Sequence, residues 1–264
     1  MDYSVRDGGI ELSQPDFDLD QTLDCGQAFR WSKTAADSYT GFFLDRRLDI
    51  SGSGGRFMLH DVSEREFLDV WADYFDLSTD YGELKRIFSE DETLSKACGF
   101  AGGIRLLRQD AWEALCSFII SQNNNIPRIK GIISRLCDEL GGFPPAEKLS
   151  MYTADELSFL RAGFRAKYLV SASSLVAGGE ISLEALRTAP IEEARAALMQ
   201  IKGVGPKVAE CALLYGMHRT EAFPVDVWIK RVLERYYPEG FPEFASQWAG
   251  IAQQYLFHYI RFGA

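Results

Sequence analysis

The sequence is poor in the features that would place it outside a reducing, aqueous compartment. Its five cysteines, Cys25, Cys98, Cys116, Cys137 and Cys211, stand singly and are odd in number, with no Cys-x-x-Cys pair. That spacing argues against a disulfide framework and against structural zinc. No uninterrupted apolar run is long enough to cross a bilayer. The opening, MDYSVRDGG, lacks the basic and apolar stretches of a secretory signal. Positive charge is short as well: 28 Lys and Arg stand against 38 Asp and Glu, a net −10. The deficit is local. Residues 1–100 carry 21 acidic and 10 basic side chains, whereas residues 101–264 carry 17 and 18. A polyanionic partner of the second segment would meet few ion pairs. Backbone N–H groups and helix ends would carry much of the anchoring, with a shallow salt dependence.

What is present divides near residue 103, and the reading is an α+β chain. Residues 1–102 form an N-terminal antiparallel β-rich domain with helices, and residues 103–264 form an all-helical region. In the first part, residues 38–44, 47–51 and 56–61 read as short strands of a meander, with Gly52-Ser53-Gly54-Gly55 a hairpin connection. Residues 64–77 read as a helix burying Phe67, Trp71 and Phe75, its aspartates on a solvated face. Before the strands, Cys25-Gly26-Gln27-Ala28-Phe29-Arg30-Trp31 sets aromatics around a Gly-Gln pair, an arrangement that ordinarily serves core packing.

In the second part, residues 110–122 are nearly all apolar and predict a buried central helix that ends in Asn123-Asn124-Asn125. Such amides are ordinarily a polar loop, yet at the end of a buried helix they can also read base edges. The next helix puts Ile129, Ile132, Ile133, Leu136 and Leu140 on one face and leaves Arg128 and Arg135 on the other. A glycine-led loop then carries Phe164, Arg165 and Lys167. The last helix, residues 247–260, places Gln253 and Phe257 one turn apart on one face.

The chemistry concentrates between residues 190 and 237. A helix over 191–201 has Ile191, Ala194, Leu198 and Ile201 on one stripe and two glutamates in its first turn, where the helix dipole favours them. Gly203-Val204-Gly205 breaks it, and Pro206 opens a second helix, where its missing N–H costs nothing. Asp226 is a good N-cap for a third helix that should carry Trp228, Val232, Leu233 and Tyr236 inward. A Gly-x-Gly hairpin between helices lets a phosphate approach backbone N–H groups closely, although most such connections are plain turns. Lys207 opens the helix after the hairpin. A neutral amine beside a capping carboxylate is the pair needed to attack a sugar carbon, the carboxylate stabilising the cation that develops.

Residues 201–226, IKGVGPKVAECALLYGMHRTEAFPVD, resemble the helix-hairpin-helix and Gly/Pro-Asp signature of the base-excision DNA glycosylase superfamily. The lysine marks its bifunctional branch. Residues 25–31 resemble the GQxFRW motif of the 8-oxoguanine DNA glycosylases, and the run from Leu106 to Cys137 is similar to the same family. The resemblance spans residues 17–262, with five motifs in order. It implies Lys207 as nucleophile and Asp226 as electrostatic partner. It implies that the Gly26 carbonyl accepts a hydrogen bond from N7–H of the lesion, that Gln253 reads the Watson–Crick edge of the flipped base, and that Phe257 and Cys211 cover its two faces. Asn123, Arg128 and Arg165 would surround the orphaned cytosine, Phe164 would wedge into the stack, and Gly203, Val204 and Gly205 would hold phosphate through their backbone.

The expected activity is excision of 8-oxoguanine from duplex DNA followed by β-elimination, without cofactor or metal. The expected setting is a monomer, free of membrane, in a bacterial nucleoid-associated cytoplasm. Trp228 departs from the family, many members having His there, and a Trp cannot make an imidazole's contact to phosphate. The protonation state of Cys211 beside Lys207 is open at this point. Alternatives are an alkylpurine glycosylase using Asp226 alone, a non-catalytic helix-hairpin-helix DNA-binding protein, and an endonuclease III-like enzyme. The last would carry a terminal cysteine cluster for iron–sulfur, and no cysteine follows Cys211.

Overall fold

The computed structural model describes residues 1–263. Six strands, β1 (Asp2–Arg6), β2 (Gly9–Ser13), β3 (Trp31–Ala35), β4 (Ser38–Phe43), β5 (Arg46–Ser53) and β6 (Arg56–His60), form one antiparallel sheet in the order β1-β2-β6-β5-β4-β3. The expected meander is there in β4, β5 and β6, and three strands are added to it. Both outer strands lie at sheet edges. In β3 only Trp31 is buried and in β1 no residue is, so neither shows the alternation that betrays a half-buried strand.

Pairing of Ile10 with Leu59, and of Leu59 with Ile50, lines up one buried row across β2, β6 and β5. Leu12, Leu48 and Phe57 extend it. Against this face pack Phe67, Trp71, Tyr74 and Phe75. Full burial of each such side chain contributes about 1.5–3 kcal/mol. Their segment is not the uninterrupted α-helix over 64–77 that the spacing suggests. Helical turns at Glu64–Glu66 and Ala72–Tyr74 flank a π-helical stretch, Phe67–Trp71, and Asp76 leaves the helix at φ +51°. The wider turn still delivers Phe67, Trp71 and Phe75 to the core.

The two cores interleave in sequence. Helices Tyr81–Phe88 and Glu92–Phe100 place Phe88, Leu94 and Ala97 in the core of the helical region, where Phe88 meets Tyr255 edge-on at 6.2 Å. Leu107, from beyond residue 103, packs instead in the sheet core. Arg105 fastens this crossing. Wholly buried over the Tyr81 ring, it donates to the carbonyls of Phe75, Asp76, Thr79 and Asp16. Among the described residues, no helix is long and apolar enough to cross a membrane.

The central helix, Ala111–Ser121, starts where Asp110 accepts the N–H of Glu113 at 2.8 Å, and it buries nine residues from Ala111 to Ile120. The following helix, Ile126–Leu140, is capped by Asn125 and ends at left-handed Gly141. The three asparagines therefore form the tight link between these helices, with Asn123 at φ +48°.

Candidate active site

Gly203 sits at φ +84°, and a Cβ there would lie 2.4 Å from the Tyr168 ring, so only glycine fits the turn. Val204 is 5% exposed and anchors the hairpin inward, its N–H donating to the Ile201 carbonyl at 2.9 Å, while Gly203 and Gly205 are half-buried. Gly205, in extended conformation, leads into the helix Pro206–Cys211, which continues as a π-helical stretch, Ala212–Gly216. Lys207 stands in the first turn with Nζ 5.2 Å from the centroid of the Phe118 ring. Asp226 caps Val227–Tyr236: its Oδ1 accepts the N–H groups of Trp228 and Ile229 at 2.9 Å each. The two meet in one narrow cavity of about 60 Å³, lined also by Gly26, Cys211, Gln253 and Phe257. A larger hollow of about 850 Å³ lies between the β3–β4 edge and the helix Ile126–Leu140, and it contains none of these groups. Chemistry rather than size marks the site.

The buried Cys211 thiol is pushed above its ordinary range by burial, which outweighs the opposing pull of Lys207. Burial therefore works against a thiolate partnered with the lysine. Gly26 adopts φ +94° beside Ile126. Its loop is held by Gln27, 1% exposed, which donates to the carbonyls of Thr22 and Arg105 and accepts the N–H of Leu107. Arg30, from the same motif, makes a 2.9 Å ion pair with Glu113 of the central helix. Gln253 is 3% exposed and Phe257 half-buried, with Arg261 over its ring.

A second group of sequence-identified residues lies outside this cavity. Asn123, Arg128 and Phe164 are exposed. Arg165 is 3% exposed: its guanidinium donates to the carbonyls of Gln122, Asn123 and Ala162, and it lies 4.5 Å over the Phe164 ring. Burial, then the charge of Arg128, holds it below the usual arginine range. Phe164 meets Tyr168 edge-on at 5.5 Å, and Tyr168 covers Gly203, which links this surface to the hairpin.

Several lining residues escape sequence reading. Phe118 lies flat on Tyr215 at 4.8 Å, and Cys25, Pro224 and Gln254 complete the wall. The signal for Gln254 is a second amide beside Gln253 in an otherwise apolar stretch, AGIAQQYLF. The third helix also differs from expectation. Ile229 and Val232 are buried, whereas Trp228, Leu233 and Tyr236 are half-buried. Trp228 instead carries Arg231 at 4.9 Å from its ring. Among the described residues, no group of three or more His, Cys, Asp or Glu is placed to hold a metal ion.

Residues 9–115 match the 8-oxoguanine DNA glycosylase N-terminal domain, and residues 116–240 match the HhH-GPD superfamily base excision DNA repair protein. The structure is similar to that of MBOgg1 in complex with a low-affinity DNA ligand, with a TM-score of 0.92, 42% identity and 99% of each chain covered. It is also similar to Clostridium acetobutylicum 8-oxoguanine glycosylase/lyase in complex with double-stranded DNA containing cytosine opposite 8-oxoguanine. That match has a TM-score of 0.89, 35% identity and 99% of each chain covered. The N-glycosylase/DNA lyase OGG1 of Arabidopsis thaliana is 29% identical over 94% of this chain and 78% of its own length. With a lysine and an aspartate in one cavity, the matched N-terminal domain, the matched hairpin region and the 42% identity to a structure covered over 99% of its length place the chain in the 8-oxoguanine DNA glycosylase family of the HhH-GPD superfamily.

Proposed function

We propose that Lys207 and Asp226 carry the chemistry of an 8-oxoguanine DNA glycosylase with AP lyase activity acting on duplex DNA. The observation that supports this most directly is the shared cavity of Lys207, Asp226, Gly26, Gln253 and Phe257. A base in the stack is out of reach of such a pocket, so the lesion nucleotide must be flipped out. The Lys207 amine attacks C1′ through its lone pair as the bond from C1′ to the base breaks, and a proton of the attacking nitrogen passes to the departing base. Asp226, anchored by two backbone N–H groups, stabilises the positive charge that develops on the sugar. The proton left on the new C–N linkage passes to the ring oxygen as the C1′–O4′ bond breaks, which gives an imine; β-elimination then removes a proton from C2′ and breaks the bond from C3′ to its oxygen. The Gly26 carbonyl accepts from N7–H, which 8-oxoguanine has and guanine lacks. Gln253 pairs with the Watson–Crick edge, and Phe257 and the Cys211 thiol cover the two faces.

At the rim, Phe164 fills the gap left in the stack, while Asn123 and Arg128 face the orphaned cytosine. Arg165 supports them by holding the carbonyls of Gln122 and Asn123. The Gly203–Gly205 backbone takes a phosphate, and the chain acts as a monomer in the bacterial cytoplasm.

The test is borohydride trapping on duplexes with 8-oxoguanine opposite each base. Wild type gives a covalent adduct, and Lys207→Gln gives none while still binding lesion DNA. A persistent adduct in that variant would sink the assignment.

A further inference from the structure

The amide of Gln253 is committed at both ends. Its Nε2 donates to the Pro224 carbonyl at 3.3 Å; that oxygen only accepts, so this long contact favours the nitrogen end toward the Pro224 loop without fixing it alone. Its Oε1 accepts from Nε2 of Gln254 at 2.9 Å. Gln254 is itself 3% exposed and uses the second hydrogen of that nitrogen on the Tyr215 hydroxyl. At its other end, Gln254 Oε1 lies 3.8 Å from Cys25 Sγ, whose single thiol hydrogen has a closer acceptor in the Thr22 carbonyl at 3.4 Å. Gln254, Gln253 and Pro224 thus run in one hydrogen-bond direction toward the Asp226 loop, with Cys25 beside the far end of Gln254. All four line the cavity of Lys207.

The direction has a chemical consequence. After its two internal bonds, Gln253 keeps one lone pair on Oε1 and one hydrogen on Nε2. A guanine-type edge sets N1–H, a donor, beside O6, an acceptor, and meets that pair in order. An adenine-type edge sets the N1 lone pair beside the N6 amine and meets it with like against like. The Gly26 carbonyl does not separate the two, because 8-oxoguanine and 8-oxoadenine both carry a proton on N7. We propose that Gln254 is a specificity-determining positioning residue that acts through Gln253: it holds the amide in the polarity that admits oxidised guanine and rejects oxidised adenine. This rests on the site being the 8-oxoguanine pocket described above. A base that leaves buried donors and acceptors unpaired is disfavoured far more than one that merely loses a contact.

The experiment compares single-turnover excision of 8-oxoguanine, 8-oxohypoxanthine and 8-oxoadenine, each opposite cytosine, by wild type, Gln254→Leu and Tyr215→Phe. 8-Oxohypoxanthine keeps N1–H and O6 but lacks the exocyclic amine, so it isolates polarity from the loss of that group. Gln254→Leu should narrow the 8-oxoguanine to 8-oxoadenine rate ratio by at least about tenfold, with 8-oxohypoxanthine following 8-oxoguanine. Tyr215→Phe, which keeps the buried volume, should narrow it in the same direction by less, and it carries the comparison should Gln254→Leu fail to fold. Uniform slowing on all three bases, or an unchanged ratio in both variants, overturns the role of Gln254. A wild-type protein that excises none of the three overturns the underlying reading instead.

Discussion

Glu210 accepts the backbone N–H of Phe223 through Oε2 at 2.6 Å. Its other oxygen accepts from Arg195 on the helix Ile191–Leu198. Glu210 is 8% exposed and lies one turn after Lys207, so one carboxylate ties both helices of the hairpin to the loop that carries Pro224 and Asp226. Removing it leaves the part-buried Phe223 N–H without its acceptor and Arg195 with Glu192 alone. Glu210→Ala should cost about 1–3 kcal/mol of stability. It should slow single-turnover excision more than it weakens lesion-DNA binding, because Asp226 shifts relative to Lys207. Glu210→Gln, which retains an acceptor for Phe223, should recover most of the rate. Equal loss of rate and affinity in both variants would show a merely structural role.

Asp226 combines two tasks that one substitution separates. Asparagine caps a helix as well as aspartate does, so Asp226→Asn should keep the bonds to Trp228 and Ile229 and change the melting temperature little. The negative charge is lost. Excision should therefore fall by roughly 10²–10³-fold, the scale expected for losing one preorganised electrostatic contact to a transition state. Measured together, an unchanged single-turnover rate would remove the electrostatic role, and a large drop in melting temperature would show that the cap depends on charge.

Residues whose work is local were legible in the sequence. Asp226 caps the helix that follows it, and Gly203 makes the left-handed turn of a hairpin. Residues whose work depends on distant partners were not. Glu210 reads as one acid in an apolar helix until Phe223 is folded against it, and Gln254 acquires meaning only from Tyr215, Cys25 and Gln253. In the fold, apolar spacing identifies a buried face but not what covers it. Leu94 and Ala97 therefore gave no hint that their helix completes the helical core rather than the sheet core. Arg165 is similar: its position beside Phe164 was readable, and its bonds to the Asn123 turn were not.

The hairpin itself is open to a test that leaves the pocket intact. Gly203→Ala forces a Cβ to within 2.4 Å of the Tyr168 ring at a backbone angle of φ +84°. The variant should lose about 1–3 kcal/mol of stability. Because Tyr168 also touches Phe164, binding to undamaged duplex should weaken alongside binding to lesion duplex, by a similar factor. Chemical denaturation and titration of both duplexes check this. Selective loss of lesion binding alone would place the hairpin in base recognition rather than phosphate binding.

Glu113 makes the stability of the interface between sheet and helices depend on pH. Its carboxyl is pushed up to about 7 by burial, against the pull of Arg30, with which it pairs at 2.9 Å, while Asp110 adds a smaller upward push. In the unfolded chain the value is about 4.3. The folded state therefore binds this proton more tightly. The stabilisation is full below the unfolded value and is lost as pH rises through the folded one. At about 1.4 kcal/mol per unit, the loss is on the order of 3 kcal/mol between the two limits. Glu113→Gln cannot titrate, so the stability difference, wild type minus variant, should fall between pH 5 and pH 8. Urea unfolding at several pH values measures that difference. Parallel profiles for the two proteins would mean that Glu113 is ionised throughout, with the Arg30 pair outweighing burial at the junction between the GQAFRW segment and the central helix.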